Sequence, residues 1–364
     1  MTSPDCNDWH WQLAHCITSH EQLSHLPGYI SPTAEQLACA RQYPMLATPF
    51  YLSLAKSAAQ DDPIIRQCLP QPAECEDSAE KDPLGEREAS PVPRLVHRYH
   101  DRALFVTCGS CAVHCRHCMR KRVWETPLPP PTDAELVACT DYLRRHPEVR
   151  EVLISGGDPL TLEDDNIARV LDAFASVPTI EMLRIGSRTL VALPQRYTDE
   201  LCRILGNCGK TVWLASHFNH PQEISPEAES AVLRLMRNGV AVVNQTVLLK
   251  GINDDADVLA KLFTGLLRIR IKPYYLFHGD PVHGTICFRT GIDAGVKIMG
   301  QLRKRISGMA LPAFAIDLPQ GGGKVRIEPD SFAGLAPDNT RMYYDLEGCA
   351  VLYPETTIAN PHIS

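Results

Sequence analysis

The stretch "ALFVTCGSCAVHCRHCMRKR" (residues 103–122) places a cysteine-rich loop directly after a short apolar run. The apolar run has the length and composition of a buried strand. The loop carries two histidines, four arginines or lysines, and the thiols of Cys108, Cys111, Cys115 and Cys118. Because nearby cations stabilise thiolates, the loop predicts a ligand site or reactive thiols. The alternative is a group of buried cysteines that only pack.

The segments that follow alternate between apolar runs and helical patterns up to residue 307. We predict six strand–helix units, with strands at residues 103–109, 151–157, 182–187, 211–217, 240–251 and 272–279. This alternation favours a parallel sheet with right-handed crossovers, in a partial or closed β/α barrel or an open doubly wound sheet. In both architectures the chemistry lies at the carboxyl ends of the strands. The cysteine loop and "SGGDP" (residues 155–159) fall at such ends.

The chain has 364 residues, of which 44% are hydrophobic, and a formal net charge of −7. Its length exceeds the ~250–300 residues at which one core usually stops growing, so we expect one large catalytic domain with terminal additions. The acidic balance argues against a nucleic-acid partner. We predict an N-terminal helical region with a charged loop, a β/α barrel and a C-terminal segment, at residues 1–93, 94–310 and 311–364.

The location of the protein is predicted from two signals that the sequence lacks. The first residues do not have the basic start and apolar core of a signal peptide. No stretch reaches the ~18 apolar residues of a membrane span. We therefore expect no membrane partner and a cytoplasmic location, with the 14 cysteines outside any disulfide framework.

Three of the clustered cysteines have the spacing Cys111-x3-Cys115-x2-Cys118. A structural zinc site prefers four ligands, usually in two separated pairs, and a fully ligated [4Fe–4S] cluster takes four cysteines. Three cysteines can instead bind three irons of a cubane and leave the fourth iron open to a small molecule. This spacing after the first strand of a β/α barrel resembles the radical S-adenosylmethionine (SAM) superfamily. That pattern needs only three cysteines, so Cys108 is predicted to pack.

The second informative stretch is "DLPQGGGK" (residues 317–324), in which a lysine follows a glycine run. A P-loop would have serine or threonine after the lysine, whereas Val325 follows here. A lysine in a glycine loop can bind pyridoxal phosphate (PLP) as a Schiff base, and an exposed turn lysine is the alternative. Together the two stretches resemble the lysine 2,3-aminomutase family. The resemblance covers about residues 90–345, including "HRYHDR" (97–102), "HFNHPQEI" (217–224), "NQTVLLKGIND" (244–254) and "PYYLFHGD" (273–280).

The resemblance implies an α/β fold: a radical SAM partial (β/α)6 barrel with an N-terminal helical region and a C-terminal extension that carries the PLP lysine. It implies PLP on Lys324 and a [4Fe–4S] cluster on Cys111, Cys115 and Cys118. The residues that match positions near the PLP phosphate, where guanidinium suits a dianion, are Arg98, Tyr99 and Arg102. The residues that match SAM contacts are Ser155, Gly156, Gly157, His217 and Gln245.

The activity that the resemblance implies is an isomerase reaction, in which L-lysine and β-lysine are interconverted by 2,3-amino migration. Arg120 matches the residue that binds the α-carboxylate, and Asp280 and Asp317 match two carboxylates that bind the ε-ammonium. Asp317 lies in the apolar run "FAIDLP" (residues 314–319), where an unpaired carboxylate is costly, so a cationic partner is predicted there. Two carboxylates repel a terminal carboxylate, which argues against glutamate. Arginine stays open because guanidinium also pairs with carboxylates.

Two other functions stay open at this stage: a radical SAM enzyme without PLP and a non-catalytic iron–sulfur carrier. The resemblance implies a low-potential electron donor such as flavodoxin or ferredoxin, and it leaves a homo-oligomer open. Clostridial members carry a cysteine-rich zinc tail, whereas this chain has Cys349 alone in its last segment and Asp255 where a further zinc cysteine would stand. We therefore expect no zinc, which puts assembly through such a tail in doubt.

Overall fold

The structure is a computed structural model and describes residues 4–124, 128–319, 322–338 and 340–353. The α-helices in these residues are α1 (Trp9–Ala14), α2 (Ala34–Gln42), α3 (Pro49–Ser53), α4 (Pro63–Cys68), α5 (Asp133–Arg145), α6 (Asp164–Ala175), α7 (Thr189–Ala192), α8 (Asp199–Gly206), α9 (Pro226–Arg237), α10 (Ala256–Arg268) and α11 (Ile292–Arg305). The strands are β1 (Leu95–Tyr99), β2 (Arg102–Val106), β3 (Glu151–Ser155), β4 (Met182–Gly186), β5 (Thr211–Ser216), β6 (Ala241–Leu248), β7 (Lys272–His278), β8 (Ala313–Leu318), β9 (Gly323–Arg326), β10 (Phe332–Leu335), β11 (Arg341–Tyr344) and β12 (Ala350–Leu352).

The main sheet contains strands β1 to β9 in chain order. Neighbours from β2 to β8 are parallel, whereas β1 and β9 run antiparallel at the two edges. Within the described residues the two edges are not hydrogen-bonded to each other, so the barrel is partial. The units from β2 to α11 confirm the predicted α/β fold with a partial (β/α)6 barrel. A doubly wound sheet is excluded because its strand order would depart from chain order.

Three strands of this sheet, β1, β8 and β9, are not predicted by the strand–helix pattern. β1 and β9 pair antiparallel with their neighbour, so neither belongs to a parallel strand–helix unit. β8 is apolar, but no helix is found in the described residues between it and β9. The hairpin of β8 and β9 has a consequence for the site, because it pairs Asp317 with Lys324. Lys324 therefore lies in a strand and not in the glycine loop that we expected around it.

Residues on the barrel strands alternate between two environments. Val152, Ile154, Leu183 and Ile185 on β3 and β4 belong to the main hydrophobic core, together with helix residues such as Leu171. Burying one aliphatic side chain of this kind contributes about 1.5–3 kcal/mol. The residues between them on the same strands line the barrel interior. The apolar core thus lies outside the barrel wall, and the interior is available to side chains that bind ligands.

The N-terminal helices pack against loops at the carboxyl ends of the barrel strands. Thr48 and Asp62 cap α3 and α4, each accepting a hydrogen bond from a backbone N–H of the first turn. Tyr51 and Gln67 are fully buried in these helices. Both donate hydrogen bonds to Glu223, which follows β5, at 3.2 and 2.9 Å. The helical region therefore forms part of the wall around the site.

Residues 77–86, here called the strap, connect the loop after β7 with the cysteine loop. The carboxylate of Asp77 accepts a hydrogen bond from the backbone N–H of Thr285, after β7, at 3.0 Å. At the other end Glu86 pairs with Arg120, just past the last predicted cluster cysteine. The strap lies within the N-terminal region in which the sequence predicts a charged loop.

The strands β10 to β12 form a separate antiparallel sheet with mostly exposed side chains. β8 and β9 belong to the barrel sheet although they follow residue 310, and the domain boundaries of the sequence analysis stay a prediction. Among the helices that the structure describes, none combines the length and the apolar character required to cross a membrane.

Candidate active site

A cavity of about 810 Å³ lies inside the barrel and extends to the cysteine loop. Its walls come from the inner faces of the strands, the cysteine loop, the strap and the β8–β9 hairpin. Every residue with a predicted site role lines it: Arg98, Tyr99, Arg102, Cys111, Cys115, Cys118, Arg120, Ser155, Gly156, Gly157, His217, Gln245, Asp280, Asp317 and Lys324. The structure thus gathers the predicted set around one space, while the role of each residue stays a prediction.

The cysteine loop is fixed by the "SGGDP" segment at the end of β3. Gly157 donates a backbone hydrogen bond to the carbonyl of Cys108 at 2.6 Å, and Asp158 donates one to that of Ser110 at 2.7 Å. A side chain at Gly157 would collide with the carbonyl of Ser110, and Gly156 has φ +134°. Glycine is therefore needed at these two positions so that the segment can pack against the cysteine loop, a requirement separate from their predicted contact with SAM.

The three predicted cluster cysteines are all partly buried but differ in their hydrogen bonding. Burial raises the pKa of Cys118 to about 11 and that of Cys111 well above its usual value. Two nitrogens donate to these sulfurs: the backbone N–H of Arg120 to Cys118 at 3.3 Å, and Nη1 of Arg188 to Cys115 at 2.8 Å. Such donors stabilise a thiolate once a metal has displaced its proton.

The three cysteine thiols suit an iron–sulfur cluster better than a single metal ion. In the described part of the chain, no three His, Cys, Asp or Glu side chains are gathered closely enough to hold one metal ion. In a four-iron cluster each thiolate binds a different iron, so the thiols need not converge on one point. Three cysteines on the wall of one cavity satisfy that requirement and leave one iron open.

Cys108 is placed differently from the other three cysteines of the loop. It is buried, does not line the cavity, and follows the last residue of β2 by two positions. Its Sγ accepts a hydrogen bond from Oγ of Ser110 at 3.3 Å and donates one to the carbonyl of Asp158 at 3.5 Å. These contacts support the prediction that Cys108 packs and does not bind the cluster.

Lys324 and Asp317 face each other across the β8–β9 hairpin. Nζ of Lys324 donates to Oδ2 of Asp317 at 2.7 Å and lies 5.7 and 5.5 Å from the ring centroids of Tyr99 and Phe277. Asp317 is largely buried, with 10% of its side chain exposed. The apolar run around Asp317 predicts a cationic partner for this carboxylate, and in the structure the partner is Lys324 itself.

The residues predicted near the PLP phosphate carry unpaired buried donors. Nε and Nη2 of Arg98 and the hydroxyl of Tyr99 are buried without a hydrogen-bond partner among the described residues. Arg98 Nη2 is 3.7 Å from Oδ1 of Asp317, which is too far for a hydrogen bond. The guanidinium of Arg102 lies 3.9 Å above the ring of Tyr99. Because unpaired buried donors are costly, this set fits an anionic ligand such as the PLP phosphate.

Asp280 lies just past β7 and shares the cavity with Asp317. Burial, followed by repulsion from the carboxylate of Asp317, raises the pKa of Asp280 to about 6. Two buried carboxylates in one cavity disfavour their joint ionisation unless a cation lies between them. The pair therefore forms a site that prefers a positively charged group.

Arg120, the predicted ligand of the substrate α-carboxylate, already has a carboxylate partner that the sequence analysis missed. Its Nε and Nη2 donate to the two oxygens of Glu86 on the strap at 2.5–3.1 Å. Although burial by itself raises the pKa of Glu86, Arg120 and then Arg122 lower it to about 2. Nη1 of Arg120 makes no hydrogen bond to any residue in the described ranges and is the nitrogen left for a ligand. No motif around Glu86 signals this contact.

His217 and Gln245 are two of the predicted SAM contacts. His217 directly follows β5, and Gln245 lies beside it within β6, because Ser216 pairs with Asn244. Burial, with a smaller effect from the cation of Arg188, lowers the pKa of His217 to about 4. The imidazole is therefore neutral at pH 7 and can donate and accept one hydrogen bond each. Ser155, at the end of β3, is a third predicted contact on the same wall.

Two family models match segments of this chain. The "4Fe-4S single cluster domain" model matches residues 101–208, which include the cysteine loop, and the "Lysine-2,3-aminomutase" model matches residues 299–362, which include Lys324. The putative L-lysine 2,3-aminomutase of Aquifex aeolicus (strain VF5) is 40% identical over 97% of this chain and 96% of the relative.

Two further relatives show how far the similarity extends. The L-lysine 2,3-aminomutase of Clostridium subterminale is 38% identical over 98% of this chain and 86% of its own length. The glutamate 2,3-aminomutase of Clostridioides difficile (strain 630) is 38% identical over 93% of this chain and 80% of its own. With identities of this size over nearly the whole chain, the protein belongs to the lysine 2,3-aminomutase family and is an isomerase whose cofactors are a [4Fe–4S] cluster, SAM and PLP.

Proposed function

We propose that the protein interconverts L-lysine and β-lysine by moving the amino group between Cα and Cβ. The observation that carries the substrate is the ammonium of Lys324, held 2.7 Å from Asp317 in a cavity that also contains Asp280. A primary ammonium therefore fits against these carboxylates. Sequence identity over the whole chain does not distinguish lysine from glutamate as the substrate, since a lysine and a glutamate 2,3-aminomutase are equally similar to this chain.

The charge balance of the aspartate pair supports a cationic substrate end. With PLP bound, the nitrogen of Lys324 would hold the cofactor and would no longer be a free ammonium for Asp317. Arg98, at 3.7 Å, is then the nearest cation to Asp317, and it is the residue that we assign to the phosphate. The ε-ammonium of lysine restores the missing charge, whereas a terminal carboxylate would add a third negative charge to a buried site.

The bound cluster, SAM and PLP supply the radical chemistry and the carrier for the migrating amino group. The side chains of the protein bind and orient the substrate and the cofactors. We assign the α-carboxylate to Nη1 of Arg120, which Glu86 holds from the other side, and the ε-ammonium to Asp280 and Asp317. We assign the phosphate to Arg98, Tyr99 and Arg102, and SAM contacts to Ser155, Gly156, Gly157, His217 and Gln245. A low-potential donor protein such as flavodoxin or ferredoxin would deliver the reducing electron.

The experiment that tests the substrate is an anaerobic assay of the reconstituted protein with lysine, arginine and glutamate in parallel, with products resolved by mass and chromatography. We expect conversion of lysine and no conversion of glutamate. Faster turnover of arginine would show that the aspartate pair binds a guanidinium, and the substrate proposal would then be wrong. Preference for glutamate would overturn the charge argument itself.

The pH dependence of lysine turnover provides a second test. Asp280 has a raised pKa of about 6, so it is ionised above that pH and progressively neutral below it. Only the ionised form attracts the ε-ammonium. We expect kcat/KM for lysine to fall up to about tenfold per pH unit below pH 6, while the visible absorbance of the cluster stays constant. A profile that is flat from pH 5 to 8 would show that Asp280 does not bind the ammonium.

A further inference from the structure

We propose that Arg188 is a positioning residue of the iron–sulfur centre. Its guanidinium donates a hydrogen bond to the sulfur of Cys115 and thereby raises the reduction potential of the cluster. The inference concerns how the cluster accepts its electron, and it does not depend on which amino acid is the substrate. Arg188 belongs to the segment "GSR" (residues 186–188) at the end of β4, and none of the roles assigned above falls on it.

The backbone of Arg188 is anchored to the segment that fixes the cysteine loop. Its N–H donates to Oδ2 of Asp158 at 2.7 Å, and the hydroxyl of Ser187 donates to Oδ1 of the same carboxylate at 2.7 Å. Asp158 in turn donates its own N–H to the carbonyl of Ser110. Arg188 and the cysteine loop therefore share one rigid support, which fixes the distance between guanidinium and sulfur.

The far end of the guanidinium is held by three acceptors. Nη2 donates to Oε1 of Gln67 at 2.7 Å, to Oε1 of Glu223 at 2.8 Å and to the hydroxyl of Tyr51 at 3.1 Å. Arg188 is 6% exposed and its three partners are fully buried. Because Nη2 is fixed in this way, Nη1 points at Cys115 at 2.8 Å without freedom to rotate elsewhere.

The charges of Arg188 and Glu223 are arranged so that the positive end of the pair faces Cys115, the proposed cluster ligand. Glu223 neutralises Arg188 overall, but its Oε2 accepts backbone N–H groups of Asn219 and His220 at 2.5 and 3.1 Å. The positive N–H end of the pair is therefore the part nearest the sulfur. In a buried site a dipole with this orientation acts with little screening.

Reduction adds one electron, taken from a low-potential donor, to a cluster that is already anionic with its thiolates. No bond is made or broken, and no proton is required. A hydrogen bond to a ligand sulfur stabilises the more negative, reduced state and so raises the potential. An arginine that served only to join the N-terminal helices to the barrel would make the same contacts with Tyr51 and Gln67 but would leave the potential unchanged.

The test compares midpoint potentials of the reconstituted full chain without SAM and without lysine, by anaerobic spectroelectrochemical titration. The variant is Arg188→Gln combined with Glu223→Gln, which removes the donor without leaving a buried unpaired charge. We expect iron content close to wild type and a reduction equilibrium constant about tenfold smaller, a shift of about 59 mV to lower potential. The matched control is Tyr51→Phe, which removes a contact of Nη2 without touching the sulfur and is expected to leave the potential unchanged.

A wild-type potential in the double variant, or an equal shift in Tyr51→Phe, would overturn the proposal. If the double variant fails to bind its cluster, the hydrogen bond between Arg188 and Cys115 can be tested directly in the wild-type protein. After labelling with arginine that carries ¹⁵N only in the guanidinium group, pulsed electron paramagnetic resonance of the reduced cluster should detect a coupled nitrogen. Absence of that coupling would equally refute the hydrogen bond, whatever the substrate proves to be.

Discussion

Alanine at Cys111, Cys115 or Cys118 is expected to abolish SAM cleavage. Each substitution removes one of three thiolates on the wall of the cavity, and two thiolates do not retain a four-iron cluster with one open iron. The wild-type protein should bind about four irons per chain after reconstitution. The measurements are iron and sulfide content, visible absorbance, and release of methionine from SAM under reducing conditions.

The matched control for these variants is Cys108→Ala in the same loop. Cys108 is buried outside the cavity, and its sulfur contacts Ser110 and Asp158. Its loss should leave the cluster and SAM cleavage intact, with a small decrease in the free energy of unfolding. Loss of the cluster in Cys108→Ala, with retention in a Cys111→Ala variant, would show that the ligands are assigned wrongly.

Alanine at Asp317 is expected to raise the KM for lysine and to lower kcat/KM by at least two orders of magnitude. Removing one carboxylate from a buried ion pair costs about 3–5 kcal/mol, because the remaining charge is left without its partner. At about 1.4 kcal/mol per factor of ten, this corresponds to a hundredfold or more. Steady-state kinetics with saturating SAM measure the effect.

Two comparisons separate substrate binding from a general defect in Asp317→Ala. The SAM affinity should be close to wild type, because the predicted SAM contacts lie on or just after β3, β5 and β6, whereas Asp317 lies on β8. The loss should be smaller for a diamino acid with a shorter side chain, whose ammonium does not reach the pair well in the wild type. Normal turnover of lysine by the variant would make Asp317 a structural carboxylate and would remove the main physical support for lysine.

The sequence alone predicted the barrel and its cluster loop because both depend on local order. Strand and helix patterns alternate along the chain, and three cysteines occur within one short loop after a strand. The need of Asp317 for a partner could also be predicted, since a carboxylate in an apolar run requires a nearby cation. Lys324 stood out through its glycine run and through the family resemblance.

The tertiary structure decided which of the many charges are partners. Glu86 and Arg120 are 34 residues apart, and Arg188 and Cys115 are 73 apart. In the sequence Arg120 and Arg188 are two of the 36 lysines and arginines, Glu86 is one of the 43 aspartates and glutamates, and Cys115 is one of the 14 cysteines. Only the strap and the barrel loops bring these pairs together.

The hairpin of β8 and β9 also shows that residue types are visible in the sequence, whereas the partners are set by the fold. The sequence places Asp317 and Lys324 seven positions apart, but only antiparallel pairing puts them side by side. Residue type and local pattern determine which groups are chemically able to act. Distance and burial determine which of them interact, because an ion pair or a hydrogen bond forms only between groups that the fold brings within reach and removes from water.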